Sequence, residues 1–162
     1  MSQIILIRHA KALNRSTALH QGIKEAQRPL TQKGRLEFID QVKNNKAIFK
    51  NVELYITSPY FRALETLAVL HEVLPERVAP IKTIRQICPD AKTKFLEQLL
   101  KKRNEKKIVI VSHEPFLSNF LARILNSGSA KKPLQKIRKG AIIILDKNPT
   151  NHQYKLIKFI NP

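Results

Sequence analysis

Four consecutive apolar residues, Ile4-Ile5-Leu6-Ile7, run directly into Arg8 and His9. A β-branched run this short, without alternation of polar and apolar positions, reads as a strand buried on both faces. Such strands belong to parallel sheets covered by helices. In open α/β sheets ligands bind at the carboxyl ends of the strands. Arg8 and His9 therefore stand where chemistry is expected.

The rest of the chain repeats the strand-then-helix pattern. Lys11 to Gln27 lacks clean periodicity and reads as loop. Thr31 can cap a helix whose apolar stripe is Leu36, Phe38, Ile39 and Val42, ending near Asn44-Asn45. Val52 to Ile56 is a second strand. Ser58-Pro59 follows as cap and first turn of a helix running to about Leu74, with Phe61, Leu64, Leu67, Ala68 and Leu74 on its apolar face. Val78 to Ile84, interrupted by Pro80, reads as a short or edge strand. Asp90 can cap a helix from Ala91 to about Arg103 with Phe95, Leu96, Leu99 and Leu100 inward. Ile108-Val109-Ile110-Val111 is a buried strand, followed by Ser112-His113-Glu114-Pro115 and a helix from Phe116 to Leu125. Asn126 to Lys139 reads as a basic loop, and Ala141 to Leu145 and Tyr154 to Ile160 as two late strands able to pair as an edge hairpin. The 162 residues suit a single domain, 1–162, of class α/β: a three-layer α/β/α sandwich with a mostly parallel sheet and helices on both faces.

The charge is unusual, with 30 Lys+Arg against 12 Asp+Glu and a formal net +18. A field of that sign attracts acidic partner surfaces, although a lysine-rich solubilising surface is the simpler reading. The basic runs Lys101-Lys102-Arg103 with Lys106-Lys107, and Lys131-Lys132 with Lys136, Arg138 and Lys139, carry no interleaved aromatics of the kind that stack single-stranded bases. No specific nucleic-acid partner is implied. No apolar run approaches the roughly 20 residues that span a bilayer, so no membrane partner is expected. A single cysteine, Cys88, excludes an intramolecular disulfide, and the leaderless start suits a cytoplasmic protein.

Three strand ends line up on one edge of a parallel sheet: Arg8-His9, Ser58-Pro59 with Arg62 one turn on, and Ser112-His113. Two arginines and two histidines thus converge, beside helix N-termini that favour anions. Guanidinium forks match phosphoryl oxygens, and a neutral imidazole is a competent nucleophile toward phosphorus near pH 7. No carboxylate cluster suits magnesium and no histidine pair has helical zinc spacing, so neither metal nor organic cofactor is expected.

Four blocks carry a family resemblance: Leu6 to Ala12, Arg28 to Gly34, Ser58 to Thr66, and Ser112 to Pro115, with Lys139-Gly140-Ala141 in support. In order and spacing they resemble the histidine phosphatase (phosphoglycerate mutase-like) superfamily, and most of all its SixA-type phosphohistidine phosphatases. The resemblance implies that His9 is the nucleophile and becomes a phosphohistidine. It implies that Arg8, Arg62 and His113 hold the phosphoryl oxygens, with Arg28 and Ser58 also lining the substrate site. Larger members insert a covering segment that supplies a glutamate acid. Ser58 to Asp90 leaves no room for one, and Asp90, the nearest carboxylate, suits a helix cap. Such an uncovered site without a strong acid suits a phosphorylated protein carrying phosphohistidine, because imidazole departs more easily than an alkoxide.

Simpler roles stand beside these. Arg28 either reaches the pocket rim or pairs with a carboxylate. Thr31 and Gly34 read as capping and packing positions, Glu114 as a helix-start carboxylate, and His20, His71 and His152 as surface residues. One of Asn14, Arg15 and Ser16 borders the phosphate in the resemblance, and Cys88 reads as a bystander. Two rival functions remain: a small-molecule phosphomonoesterase of the same fold acting on a nucleotide or sugar phosphate, and a non-catalytic basic phosphate-docking module.

Overall fold

The computed structural model describes residues 2–76, 79–125 and 136–162. Strand β1 (Ser2–Arg8) is the buried run of the sequence. Because successive strand residues point to opposite faces, Ile4 and Leu6 join one hydrophobic core while Ile5 and Ile7 join the other. The remaining strands are β2 (Leu54–Thr57), β3 (Ile81–Thr83), β4 (Lys107–Ser112), β5 (Ile142–Lys147) and β6 (Tyr154–Ile160). They form one sheet in the order β3-β2-β4-β1-β5-β6. β1, β2, β3 and β4 are parallel, whereas β5 runs antiparallel to β1 and β6 to β5, giving the expected edge hairpin.

Helices α2 (Gln32–Asn44) and α3 (Phe61–Val73) cover one face, where Phe38, Val42, Ala63, Leu67 and Leu70 pack on Ile5, Ile7, Tyr55 and Val109. Helices α4 (Thr93–Lys101) and α5 (Phe116–Leu125) cover the other, with Leu96, Leu100, Phe116 and Phe120 against Ile4, Leu6, Ile56 and Ile108. Three layers result, as expected. Among the described residues no helix is long and apolar enough to cross a membrane.

Several local readings need correction. Lys11 to Gln27 is not all loop: Asn14 caps a short helix α1 (Arg15–His20), its Oδ1 accepting from Thr17 N–H at 2.8 Å, and Glu25–Gln27 form a single 3₁₀ turn. Ser58 does not cap α3, which begins at Phe61 after Tyr60. Its hydroxyl is used elsewhere, as shown below. The buried side of α3 is Arg62, Ala63, Thr66, Leu67, Val69 and Leu70, while Phe61 is 46% exposed. The helix is turned to bring Arg62 inward. Asp90 does not cap α4, which starts at Thr93 after Lys92, and Phe95 is exposed rather than inward. His71 is half-buried, edge-on to the Tyr55 ring at 4.6 Å. Of the basic loop, 126–135 lie outside the described residues.

Two glycines fix the C-terminal end of β1. A Cβ on Gly34 would stand 2.2 Å from the Lys11 carbonyl, so α2 can approach the chain after His9 only with glycine there. Thr31 completes this junction: its Oγ1 accepts from Gly34 N–H at 3.0 Å, and its N–H donates to Lys11 O at 2.9 Å. Gly140, at φ +83°, directs its N–H to the carbonyls of Arg8 (3.0 Å) and His9 (3.1 Å). The turn that carries His9 is held from both sides.

Candidate active site

β1, β2 and β4 end side by side, so their following residues meet at one edge of the sheet. His9 N–H donates to Ser112 O at 3.0 Å and Ser58 N–H to Val111 O at 3.2 Å, which carries the ladder one step past each strand. His9, Ser58, Arg62 and His113 are all buried there, at 5%, 0%, 1% and 0% exposure.

The His9 ring has its tautomer set by its own backbone. Nδ1–H donates to the Ala10 carbonyl at 2.7 Å, so Nε2 is unprotonated and acts as an acceptor. Ala10 is itself held, its N–H donating to Thr66 Oγ1 at 3.0 Å. Arg62 Nε–H approaches His9 Nε2 at 3.2 Å. Burial, then His113, and further the Arg62 and Arg8 guanidinium groups hold the His9 imidazole well below its ordinary pKa of 6.5. At neutral pH the His9 imidazole is uncharged.

His113 lies 5.1 Å from His9, ring to ring. Its Nε2 is 2.7 Å from Ser58 Oγ, and that oxygen accepts from Tyr60 N–H at 3.3 Å. Where Ser58 O–H donates to Nε2, the His113 proton sits on Nδ1. Burial, then Arg62, lowers the His113 pKa to about 3. His113 Nδ1 is buried without a partner among the described residues, and so is Arg8 Nε. Arg8 Nη1 donates to Ile137 O at 2.6 Å. Arg8 thus acts on His9 through its charge.

Glu25 is the residue that sequence reasoning missed. It stands in the stretch read as loop, yet it gathers three arginines. Arg28 grips it with two bonds, Nε to Oε2 and Nη2 to Oε1, both 2.9 Å. Arg62 Nη2 lies 3.1 Å from Oε1, and Arg62 Nη1 donates to the Glu25 carbonyl at 2.9 Å. Arg15 follows at 3.6 Å. The arginines around Glu25 outweigh its desolvation and lower its pKa. Burial, then Arg28, brings the Arg62 pKa down to about 10, so Arg62 stays protonated at neutral pH. The three-residue spacing of Glu25 to Arg28 was the signal available in the sequence. Arg28 therefore takes the carboxylate-pairing role of its two alternatives.

Tyr60 lies within the Ser58 to Thr66 block. Its ring stands 5.2 Å from His113 and lies under the Arg62 guanidinium at 4.9 Å. Cys88 is buried, its Sγ 3.5 Å from Ser58 Oγ. Asn14 and Ser16 bond to each other and to the start of α1. Among the described residues no group of three or more His, Cys, Asp or Glu side chains could hold a metal ion.

No protein-family model and no curated protein matches the chain. Solved structures do. The protein histidine phosphatase SixA complexed with tungstate superposes with TM-score 0.77 at 18% identity, over 98% of this chain and 96% of its own. A SixA protein from Nakamurella multipartitia gives 0.79 at 15% identity, over 99% and 96%. A mycobacterial glucosyl-3-phosphoglycerate phosphatase gives 0.67 at 11%, over 97% of each chain. With its central sheet of six strands flanked by helices, the chain shares the phosphoglycerate mutase-like fold of these structures.

Proposed function

We propose that this protein is a phosphatase that passes a phosphoryl group to His9 Nε2 and then to water, and that its substrate is phosphohistidine on a protein. One observation carries the reading. The unprotonated His9 Nε2 accepts from Arg62 Nε–H, and two buried nitrogens nearby, Arg8 Nε and His113 Nδ1, have no partner among the described residues. Buried donors are rarely left unpaired, and a phosphoryl dianion supplies acceptors for both.

In the first step His9 Nε2 forms a bond to phosphorus while the bond to the leaving group breaks. Charge gathering on the equatorial oxygens is met by Arg62, Arg8 and His113. Because Nδ1–H stays on the Ala10 carbonyl, the phosphorylated ring leaves in the second step as neutral imidazole rather than imidazolate. Water takes the phosphoryl group and inorganic phosphate departs. No metal enters any step.

The similarity to SixA structures, one of them holding the tetrahedral oxyanion tungstate, supports this reading. The similarity to a glucosyl-3-phosphoglycerate phosphatase favours the second reading, a small phosphomonoester. Turnover of a phosphohistidine protein, p-nitrophenyl phosphate and a panel of nucleotide and sugar phosphates, each with and without EDTA, separates them. The expected result is preference for phosphohistidine and indifference to EDTA. Loss of turnover in EDTA would overturn the mechanism, and preference for a phosphomonoester would overturn the substrate. Binding of phosphoprotein without any turnover would favour the docking module.

A further inference from the structure

Beside His113 lies a cavity of about 490 Å³ lined by Ala26, Pro59, Tyr60, Arg85, Cys88 and Asp90. It shares walls with the phosphoryl site. Tyr60 touches both His113 and Arg62 through its ring, and Cys88 touches Ser58. The loop that carries Asp90 is pinned to that site at two points: Ser112 Oγ donates to the Ile87 carbonyl at 2.7 Å, and Cys88 Sγ meets Ser58 Oγ. Ala91 N–H then closes a turn onto Cys88 O at 3.0 Å, which fixes the Asp90 backbone on the cavity wall. Asp90 is exposed, caps no helix, and forms no hydrogen bond or ion pair among the described residues.

A carboxylate held at that place without a partner is an acceptor waiting for a donor. We infer that the cavity receives the imidazole ring of a phosphohistidine and that Asp90 accepts a hydrogen bond from the ring nitrogen remote from phosphorus. This rests on the phosphohistidine reading above and gives that substrate a binding determinant in this chain.

The chemistry is already displayed on the enzyme side. His9 keeps its far nitrogen protonated by donating to the Ala10 carbonyl at 2.7 Å. A phosphoimidazole whose far nitrogen is unprotonated must leave as imidazolate, a poor leaving group. With the far nitrogen protonated, the P–N bond breaks, its electron pair stays on the nitrogen that held phosphorus, and neutral imidazole departs. A neighbouring carboxylate stabilises that protonated, cationic ring. Asp90 thus activates the leaving group from behind and donates no proton to the breaking bond. Tyr60 supplies an aromatic wall, and the cavity is larger than one ring, with room for flanking backbone.

The experiment compares Asp90→Asn with the unaltered protein on phosphoimidazole and on p-nitrophenyl phosphate, whose leaving group has no second nitrogen. Phosphoryl transfer to His9 is read by kcat/KM, so slow hydrolysis of the intermediate does not mask the effect. The expected result is a loss of roughly tenfold or more in kcat/KM on phosphoimidazole, as for removal of one charge-assisted hydrogen bond. On p-nitrophenyl phosphate it stays within about twofold, since no bond to Asp90 exists to be lost. Equal losses on both substrates would assign Asp90 a structural role and overturn the inference. If both proteins hydrolyse phosphoimidazole equally, the inference fails and the phosphohistidine reading stands. If the unaltered protein hydrolyses p-nitrophenyl phosphate but not phosphoimidazole, both fail.

Discussion

The phosphoryl half of the cleft and the half beyond Tyr60 are built by opposite rules. Around His9 the side chains are buried and oriented: Nδ1 on Ala10, Nε2 against Arg62, His113 against Ser58, and the backbone held by Gly140 and Thr66. Around the cavity, Arg85 and Asp90 are exposed and their side chains form no hydrogen bond among the described residues. Preorganised donors lower a barrier because they need no rearrangement when charge develops. Unpartnered polar groups do the reverse: they become useful only when a ligand pairs them. One half is therefore common to every substrate, and the other discriminates between them.

The comparison breaks if a change in the buried half affects one substrate alone. His9→Asn removes the nucleophile and keeps a neutral side chain. Turnover of phosphoimidazole and p-nitrophenyl phosphate should each fall by at least about 10⁴-fold with the thermal midpoint little changed, as assays and a melting curve would show. Substantial residual turnover on either substrate would remove His9 from the mechanism.

Arg62→Lys comes next. Lysine keeps the charge but loses the fork that spans His9, the Glu25 carbonyl and the Glu25 carboxylate. The expected loss is about 10²–10³ in kcat on both substrates, the scale for one donor to a developing oxyanion. A loss confined to phosphoimidazole would place Arg62 in the discriminating half.

Glu25→Gln sharpens the boundary. The carboxylate aims Arg62 and is anchored by Arg28, but its side chain is 42% exposed, so solvent screens part of the effect. kcat/KM should fall roughly threefold to tenfold, equally on the two substrates. Restoration by Glu25→Asp is not expected, because the shorter side chain cannot reach Arg28 and Arg62 together. A larger effect on phosphoimidazole than on p-nitrophenyl phosphate would show Glu25 contacting the leaving group.

Much of the phosphoryl half was legible in the sequence, for a physical reason. The run Ile4 to Ile7 could be buried only as a central strand, and the parallel sheet then forced Arg8-His9, Ser58 and Ser112-His113 to one edge. Ser58 was placed at the right edge for the wrong purpose: its hydroxyl serves His113, not the α3 cap. Arg62 broke the apolar pattern of α3, which is why Phe61 and Leu64 were read as inward in its place. The pairing of Glu25 with Arg28 had a signal in their spacing, but the link of Glu25 to Arg62 and the setting of Asp90 had none, because each depends on chain far away. Glu25 acquires its role from Arg62, which arrives from another helix, and Asp90 from the cavity that Tyr60 closes. A loop carboxylate reveals nothing of its surroundings by spacing alone.

The smallest effect tests the burial on which the first half depends. His113 is held down to about pKa 3 and His9 well below 6.5, both chiefly by burial, and burial lowers the half-buried His71 as well. Unfolded, each titrates near 6.5. Below that pH the unfolded chain binds protons that the native chain refuses, so stability is complete above about pH 6.5 and declines as pH falls toward the native values. The limiting slope is about 1.4 kcal/mol per pH unit for each histidine that remains neutral in the fold. The lowered pKa of Glu25 acts with the same sign, but only at lower pH, near the ordinary carboxylate range. Urea unfolding between pH 7.5 and 5, above that range, therefore reads the histidines. Stability should be level above pH 7 and fall below 6.5, and His113→Asn should remove one proton's share of the slope. A level profile down to pH 5 would mean that His9 and His113 accept protons in the native state. The unprotonated Nε2, and with it the distinction between a settled half and an open one, would then be lost in mild acid.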